Sequence, residues 1–295
     1  MTSVWVDTDM GFDDLWALRL LHRHNITPTG VSVVAGNVPR DVAIANARGA
    51  AQAFDLPLHL YAGAERPLQR TPETAERILG AQGMPTRGRS LPQVAGETPP
   101  DAVTALADWL LRSPVGSCTL LALGPLSTIA QLVLQAPDAA ARLGRLVWMG
   151  GSAGPGNHSP RAEFNALGDP HAADIVARAG LPLDVIDLML CRTVTFGTQD
   201  LPKSDPLTTD LLGGYLDIAL SRGRARMAIY DPVAALALVA PELFEFAHKT
   251  LHVSCSEDDS FGETSFAPDI QSRCRLAVRA DAGVAARILA VLAES

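Results

Sequence analysis

The chain has 295 residues, is 47% hydrophobic and carries a net charge of −8 at pH 7. That apolar content is ample for one large core, and the acidic balance argues against non-specific nucleic-acid binding, which runs on positive surface. The cysteines, Cys118, Cys191, Cys255 and Cys274, are scattered without a CxxC pair. Neither a zinc site nor a disulfide framework is indicated, and a reducing cytoplasm is the expected home. No apolar run reaches membrane-spanning length, and strand-like sequence begins at once where a secretory signal would stand.

In chain order, Val4 to Val6 reads as a buried strand and Asp13 to His24 as a helix, opening on acids and closing on Arg19, Arg23 and His24. Between them four carboxylates, Asp7, Asp9, Asp13 and Asp14, fall within eight residues. Gly30 to Ala35 is a β-branched strand ending at Gly36-Asn37, followed by a helix over 40–54. Leu58 to Tyr61 is a short strand. Residues 63–100, rich in Pro, Gly and Arg, read as a surface excursion with one short helix near Pro72 to Leu79. A helix over 102–111, a strand over 118–123, a helix over 126–135 and a strand over 146–149 follow. Residues 152–168 read as a long polar loop, 170–179 as a helix and 183–186 as a strand. Beyond them the pattern gives helices at 207–220, 232–240 and 282–293, and a strand at 251–255. Such alternation predicts one α/β domain over 1–295, with an open, mostly parallel central sheet and helices on both faces.

In such a sheet, ligands bind beyond the carboxyl ends of the strands. Asp7 and Asp9 sit at such an end, and Asp13 and Asp14 open the next helix. An N-cap and a first-turn acid would explain Asp13 and Asp14 alone. Four carboxylates this close repel one another, so they take up protons or enclose a cation. All-oxygen ligands favour a hard ion such as Ca²⁺ or Mg²⁺. Other strand ends add Asn37, Gly124-Pro125-Leu126-Ser127 and Gly150-Gly151, with Asn157, Glu163 and Asn165 following, and Asp231 precedes the late apolar helix.

These residues, in this order, resemble the inosine–uridine nucleoside hydrolase family. The opening Asp7-Thr8-Asp9-Met10-Gly11-Phe12-Asp13-Asp14 is similar to that family's DTDPGxDD signature, with Met10 where proline is usual. Val34-Ala35-Gly36-Asn37 with Asn46, Leu123-Gly124-Pro125-Leu126, Met149-Gly150-Gly151, Gly156-Asn157 with Glu163-Phe164-Asn165, Asp169-Pro170 and Tyr230-Asp231-Pro232 extend the likeness to about Leu238. The resemblance implies the family's Rossmann-like fold and hydrolysis of the N-glycosidic bond of ribonucleosides to base and ribose. It implies Ca²⁺ held by Asp9, both oxygens of Asp14, the Leu123 carbonyl and Asp231. Asp9 would take a proton from the attacking water. Asp13, Asn157, Glu163 and Asn165 would hold the ribose, with Asn37 positioning it and Met149 on the substrate side. A small-molecule ribonucleoside is the implied partner, with neither nucleic acid nor membrane, and the implied assembly is a homodimer or homotetramer.

The base side departs from the family pattern. Tyr230 stands where many members carry histidine before the late Asp-Pro, and Ile78-Leu79-Gly80 replaces an Ile-His-Gly. Tyr230 becomes a candidate acid, although a phenol near pKa 10 is a weak one. Arg222, Arg224 and Arg226 are candidates to stabilise an anionic leaving base, and His158 is a more distant one. Two other classes compete. A haloacid-dehalogenase-type phosphatase also opens on a strand and Asp-x-Asp, but wants Thr or Val where Gly11 stands. A non-catalytic ribonucleoside or ribose binder would keep the sugar contacts and lack the acid.

Overall fold

The computed structural model describes residues 3–293. Nine strands form one sheet: β1 (Ser3–Thr8), β2 (Gly30–Val33), β3 (Leu60–Ala62), β4 (Cys118–Ala122), β5 (Arg145–Met149), β6 (Leu183–Ile186) and, after the small hairpin-like pair β7 (Thr195–Gly197) and β8 (Arg226–Ala228), β9 (Phe244–Val253), β10 (Thr264–Pro268) and β11 (Cys274–Ala280). Their order is β10-β9-β11-β6-β5-β4-β1-β2-β3. Every neighbouring pair is parallel except the two that β9 makes, with β10 and β11.

Strand residues alternate between two apolar layers, as the period of two demands. Val4, Val6, Leu121, Val147 and Met149 pack on one face with the helices Phe12–Arg23, Arg40–Phe54 and Asp231–Val239. Trp5, Leu120, Leu146 and Trp148 pack on the other with Ala102–Arg112, Ser127–Gln135 and Pro170–Arg178. Two-sided burial explains why the central strands read as nearly continuous apolar runs.

From β1 the chain winds through β2 and β3 in one direction, then through β4, β5 and β6 in the other. The reversal leaves a crevice between the carboxyl ends of β1 and β4, the topological switch point where such sheets bind ligands. The acid-rich turn after β1 and Leu123 after β4 both open there.

Two local expectations are corrected, and one pair of short strands was not foreseen. Residues 152–168 are not loop throughout, because Phe164–Gly168 forms a short helix. The strand expected over 251–255 runs instead over Phe244–Val253; of its partners, β10 is short and mostly exposed and β11 carries Arg275 and Arg279, so neither reads as a core strand. The stretch 192–230 contains the β7–β8 pair, whose three-residue strands are too short to show a period.

Candidate active site

The turn after β1 is built around Asp14. Its carboxylate accepts from Thr8 Oγ1 at 2.5 Å and from the Gly11 amide at 2.8 Å, so it closes the turn as well as capping its own helix. Met10 is fully buried and left-handed, at φ 49°, and its amide donates to Thr8 Oγ1 at 3.1 Å. A proline could do neither, since its φ is fixed near −65° and it has no N–H. The Met10 carbonyl accepts from Asn46 Nδ2 at 3.2 Å, and the same amide group donates to the Gln82 carbonyl at 2.8 Å, tying the 63–100 excursion to the turn.

Asp9 projects toward β2. Its two oxygens accept from the Asn37 amide at 2.7 Å and from Asn37 Nδ2 at 3.1 Å. Gly36 makes this approach possible, because a Cβ there would stand 2.1 Å from Asp9 Oδ2. From the far side, Asp231 opens the helix Asp231–Val239. Ligand atoms of Asp13, Asp14 and Asp231 lie within 4.8 Å of one another, a group that could hold a metal ion.

The electrostatics follow from this crowding. Asp9 and Asp231 are pushed well above the usual carboxylate range, by burial first and then by neighbouring carboxylates. Asp14 is raised by burial, with its Thr8 and Gly11 donors opposing. Asp13 rises to about 7 through burial and the charge of Asp14. Asp7 also rises to about 7 through burial; Ser32 donates to one of its oxygens while the other has no partner among the described residues. Protons or a cation must compensate such a cluster.

The next strand ends supply neutral donors. Asn165 Nδ2 donates to the Leu123 carbonyl at 2.9 Å and to the Met149 carbonyl at 3.0 Å, bridging the ends of β4 and β5. Glu163 is buried and caps the helix Phe164–Gly168, accepting from the amides of Gly151, Asn165 and Ala166 at 2.8 to 3.1 Å. Burial pushes its carboxyl up to about 7. Asn157 Oδ1 accepts from the Phe164 amide at 3.0 Å.

These residues border one cavity of about 380 Å³. Asp13, Asn37, Leu123, Met149, Asn157, Glu163, Asn165, Tyr230 and Asp231 all line it, whereas Asp9 and Asp14 lie deeper behind them. Ile78 and Leu79 form part of its wall, so the excursion reaches the cavity with apolar side chains. Tyr230 is half-buried, and burial pushes its phenol up to about 12. His158 pairs with Glu73 at 2.5 Å, joining the excursion to the 152–163 loop. Tyr215 escaped the sequence reading. Its hydroxyl donates to Asp13 Oδ2 at 3.1 Å across 202 residues of chain. An aromatic residue on an apolar helix carries no local mark of such a contact. Asp169, part of a family-like motif, caps the helix Pro170–Arg178 and accepts from Ser127 Oγ at 2.7 Å.

The sequence model of the inosine-uridine preferring nucleoside hydrolases matches residues 4–287. The chain belongs to that family. Among its relatives, the non-specific ribonucleoside hydrolase of Escherichia fergusonii is 33% identical over 251 residues, covering 82% of this chain and 80% of that protein. The pyrimidine-specific ribonucleoside hydrolase of Shewanella baltica is 32% identical over 260 residues, covering 81% and 78%. Relatives so named are N-glycosidases, and the nucleoside hydrolase family is one of enzymes. A plant nucleoside hydrolase structure superposes with a TM-score of 0.87 at 25% identity, covering 100% of this chain and 99% of that one. A purine-preferring ribonucleoside hydrolase from Gardnerella vaginalis shares the fold, with a TM-score of 0.87 at 22% identity. The nucleoside hydrolase fold is thus the one built here. Among the described residues no helix is long and apolar enough to cross a membrane.

Proposed function

We propose that this chain hydrolyses the N-glycosidic bond of ribonucleosides, releasing base and ribose, with Asp9 as general base. The observation that carries the reading is the buried acid cluster at the switch point, opening into a cavity lined by Asn37, Asn157, Glu163 and Asn165. The donors are all oxygens and the carboxylates are crowded without compensation, which suits a hard cation. Calcium would be held by Asp9, Asp14, Asp231 and the Leu123 carbonyl. When bound, it makes a coordinated water more acidic and fixes ribose hydroxyls.

The protein's own residues divide the remaining work. Asp9, oriented by both donors of Asn37, accepts the proton of the attacking water. Asp13, Asn157, Glu163 and Asn165 hold the ribose hydroxyls, with Met149 beside them, so that C1′ is presented to the water. Tyr230 packs on the base side. At about pKa 12 its phenol is a poor proton donor, so it is not the sole activator of the leaving base.

The experiment is steady-state turnover of a ribonucleoside panel, read as ribose released. Asp9→Asn should lower kcat by several powers of ten, about the combined loss of general-base and metal effects. Uridine should far outrun deoxyuridine, which lacks one hydroxyl. Equal rates would remove the ribose-holding scheme. The Ile78 and Leu79 wall also favours a second reading, a ribonucleoside binder without turnover. Binding of uridine with no ribose released would select it. The family likeness also supports a homodimer or homotetramer, which light scattering of the purified protein tests.

A further inference from the structure

The cavity is bipolar. Its floor is the carboxylate cluster, and its wall also includes Arg222, Arg224 and Arg192, none of which opposes those acids in an ion pair. The helix Pro206–Leu220 ends in a Schellman turn: the Arg224 amide donates to the Ala219 carbonyl and the Gly223 amide to the Leu220 carbonyl, both at 3.0 Å, with Gly223 left-handed at φ 71°. This turn fixes an arginine on each side of the glycine. Arg226, two residues on, points elsewhere and pairs with Asp200 at 2.8 Å. Arg192 is committed to the carbonyls of Pro155 and Gly156. Arg222 and Arg224 are exposed, and among the described residues neither side chain has a carboxylate partner. Arg192, Arg222 and Arg224 line the same cavity as Tyr230.

We propose that Arg222 and Arg224 take the place of a proton donor by stabilising the departing base as a carbonyl-stabilised anion, and so carry in this chain the preference for oxo-bases that the family's name states. This rests on the hydrolase reading. Water oxygen bonds to C1′ as the C1′–N bond breaks, and the bonding pair stays on the base nitrogen. Asp9 takes the water proton. The base leaves as an anion, its charge spread onto ring carbonyls that a guanidinium can bind, and takes a proton from solvent after release. Cationic nucleosides, whose base departs neutral, gain nothing from the arginines and are repelled by them.

The test compares uridine with nicotinamide riboside, whose base leaves uncharged, in the wild type, R222Q, R224Q, the double variant and R226Q. Arg226 lies outside the cavity and serves as the control. The double variant should lower the ratio of kcat/KM for uridine over nicotinamide riboside about tenfold, as expected for two solvent-screened charges. Added salt should lower the wild-type ratio and leave that of the double variant nearly flat. An unchanged ratio overturns the proposal, as does an equal fall in R226Q. Uridine 5′-monophosphate is the third substrate: a loss confined to it would make the arginines a phosphate site and overturn the base assignment. A wild type that hydrolyses none of the three, nor inosine, would overturn the hydrolase reading itself, whereas turnover with an insensitive ratio defeats only the role of the arginines.

Discussion

Withdrawing the proposed cation tests the acid cluster most directly, because the burial and crowding of the carboxylates set the sign of the effect. Asp13 titrates near 3.8 in an unfolded chain and near 7 here, through burial and then the Asp14 charge. Between those values the folded state holds a proton that the unfolded state has lost. Metal-free stability therefore falls as pH rises through this window and levels off above about 7. From about pH 5 to 7 the fall is about 2 to 3 kcal/mol for this one carboxyl. That figure is a ceiling, because Asp13 meets solvent in the cavity. Spread over 295 residues, an unfolding entropy of about 2.1 cal/mol/K per residue converts it to about 4 °C in Tm. Asp9 and Asp231, also raised, act in the same direction. A bound divalent cation replaces the protons and removes the penalty. Calorimetry with chelator and with excess calcium, at about pH 5 and about pH 7.5, should show the metal-free Tm dropping with pH and the calcium increment growing. An increment equal at both pH values, or a metal-free protein more stable at the higher pH, refutes the reasoning.

Asp14→Ala removes the carboxylate at the centre of the cluster and should leave little bound calcium; stoichiometric metal in the purified variant would contradict the ligand assignment. Tyr215→Phe deletes the hydroxyl that holds Asp13 and should raise KM for ribonucleosides about tenfold, the lower end of the range for a hydrogen bond to a charged group, with calcium content unchanged. An unaltered KM would reduce Tyr215 to packing. Tyr230→Phe should lower turnover by less than the hundredfold expected of a general acid, and equally for natural nucleosides and p-nitrophenyl riboside. A large fall limited to the natural substrates would make Tyr230 the acid.

Much of this architecture is local in origin. The β-branched runs, the acids opening and bases closing the first helix, and the Gly and Pro stops define the six parallel strands from β1 to β6 and the main helices between them. Alternation of those elements is sufficient for a parallel sheet, and a parallel sheet places its ligands at strand ends. Asp9, Asp13, Asp14, Asn37, Glu163, Asn165 and Asp231 could therefore be named as strand-end or helix-start candidates from the sequence, and the family likeness supplied the roles proposed for them. Tertiary structure decided what proximity and burial decide. It brought Asp231 and Tyr215 against the first turn from the far end of the chain. It turned Glu163 from a loop acid into a buried cap, and it separated Arg226, paired with Asp200, from Arg222 and Arg224, which face the cavity. It also gave Met10 a left-handed backbone that its side chain does not advertise. Sequence period reports which face of an element is apolar. The charge state of a carboxylate depends on how much water and which neighbours surround it, and those are properties of the packed molecule.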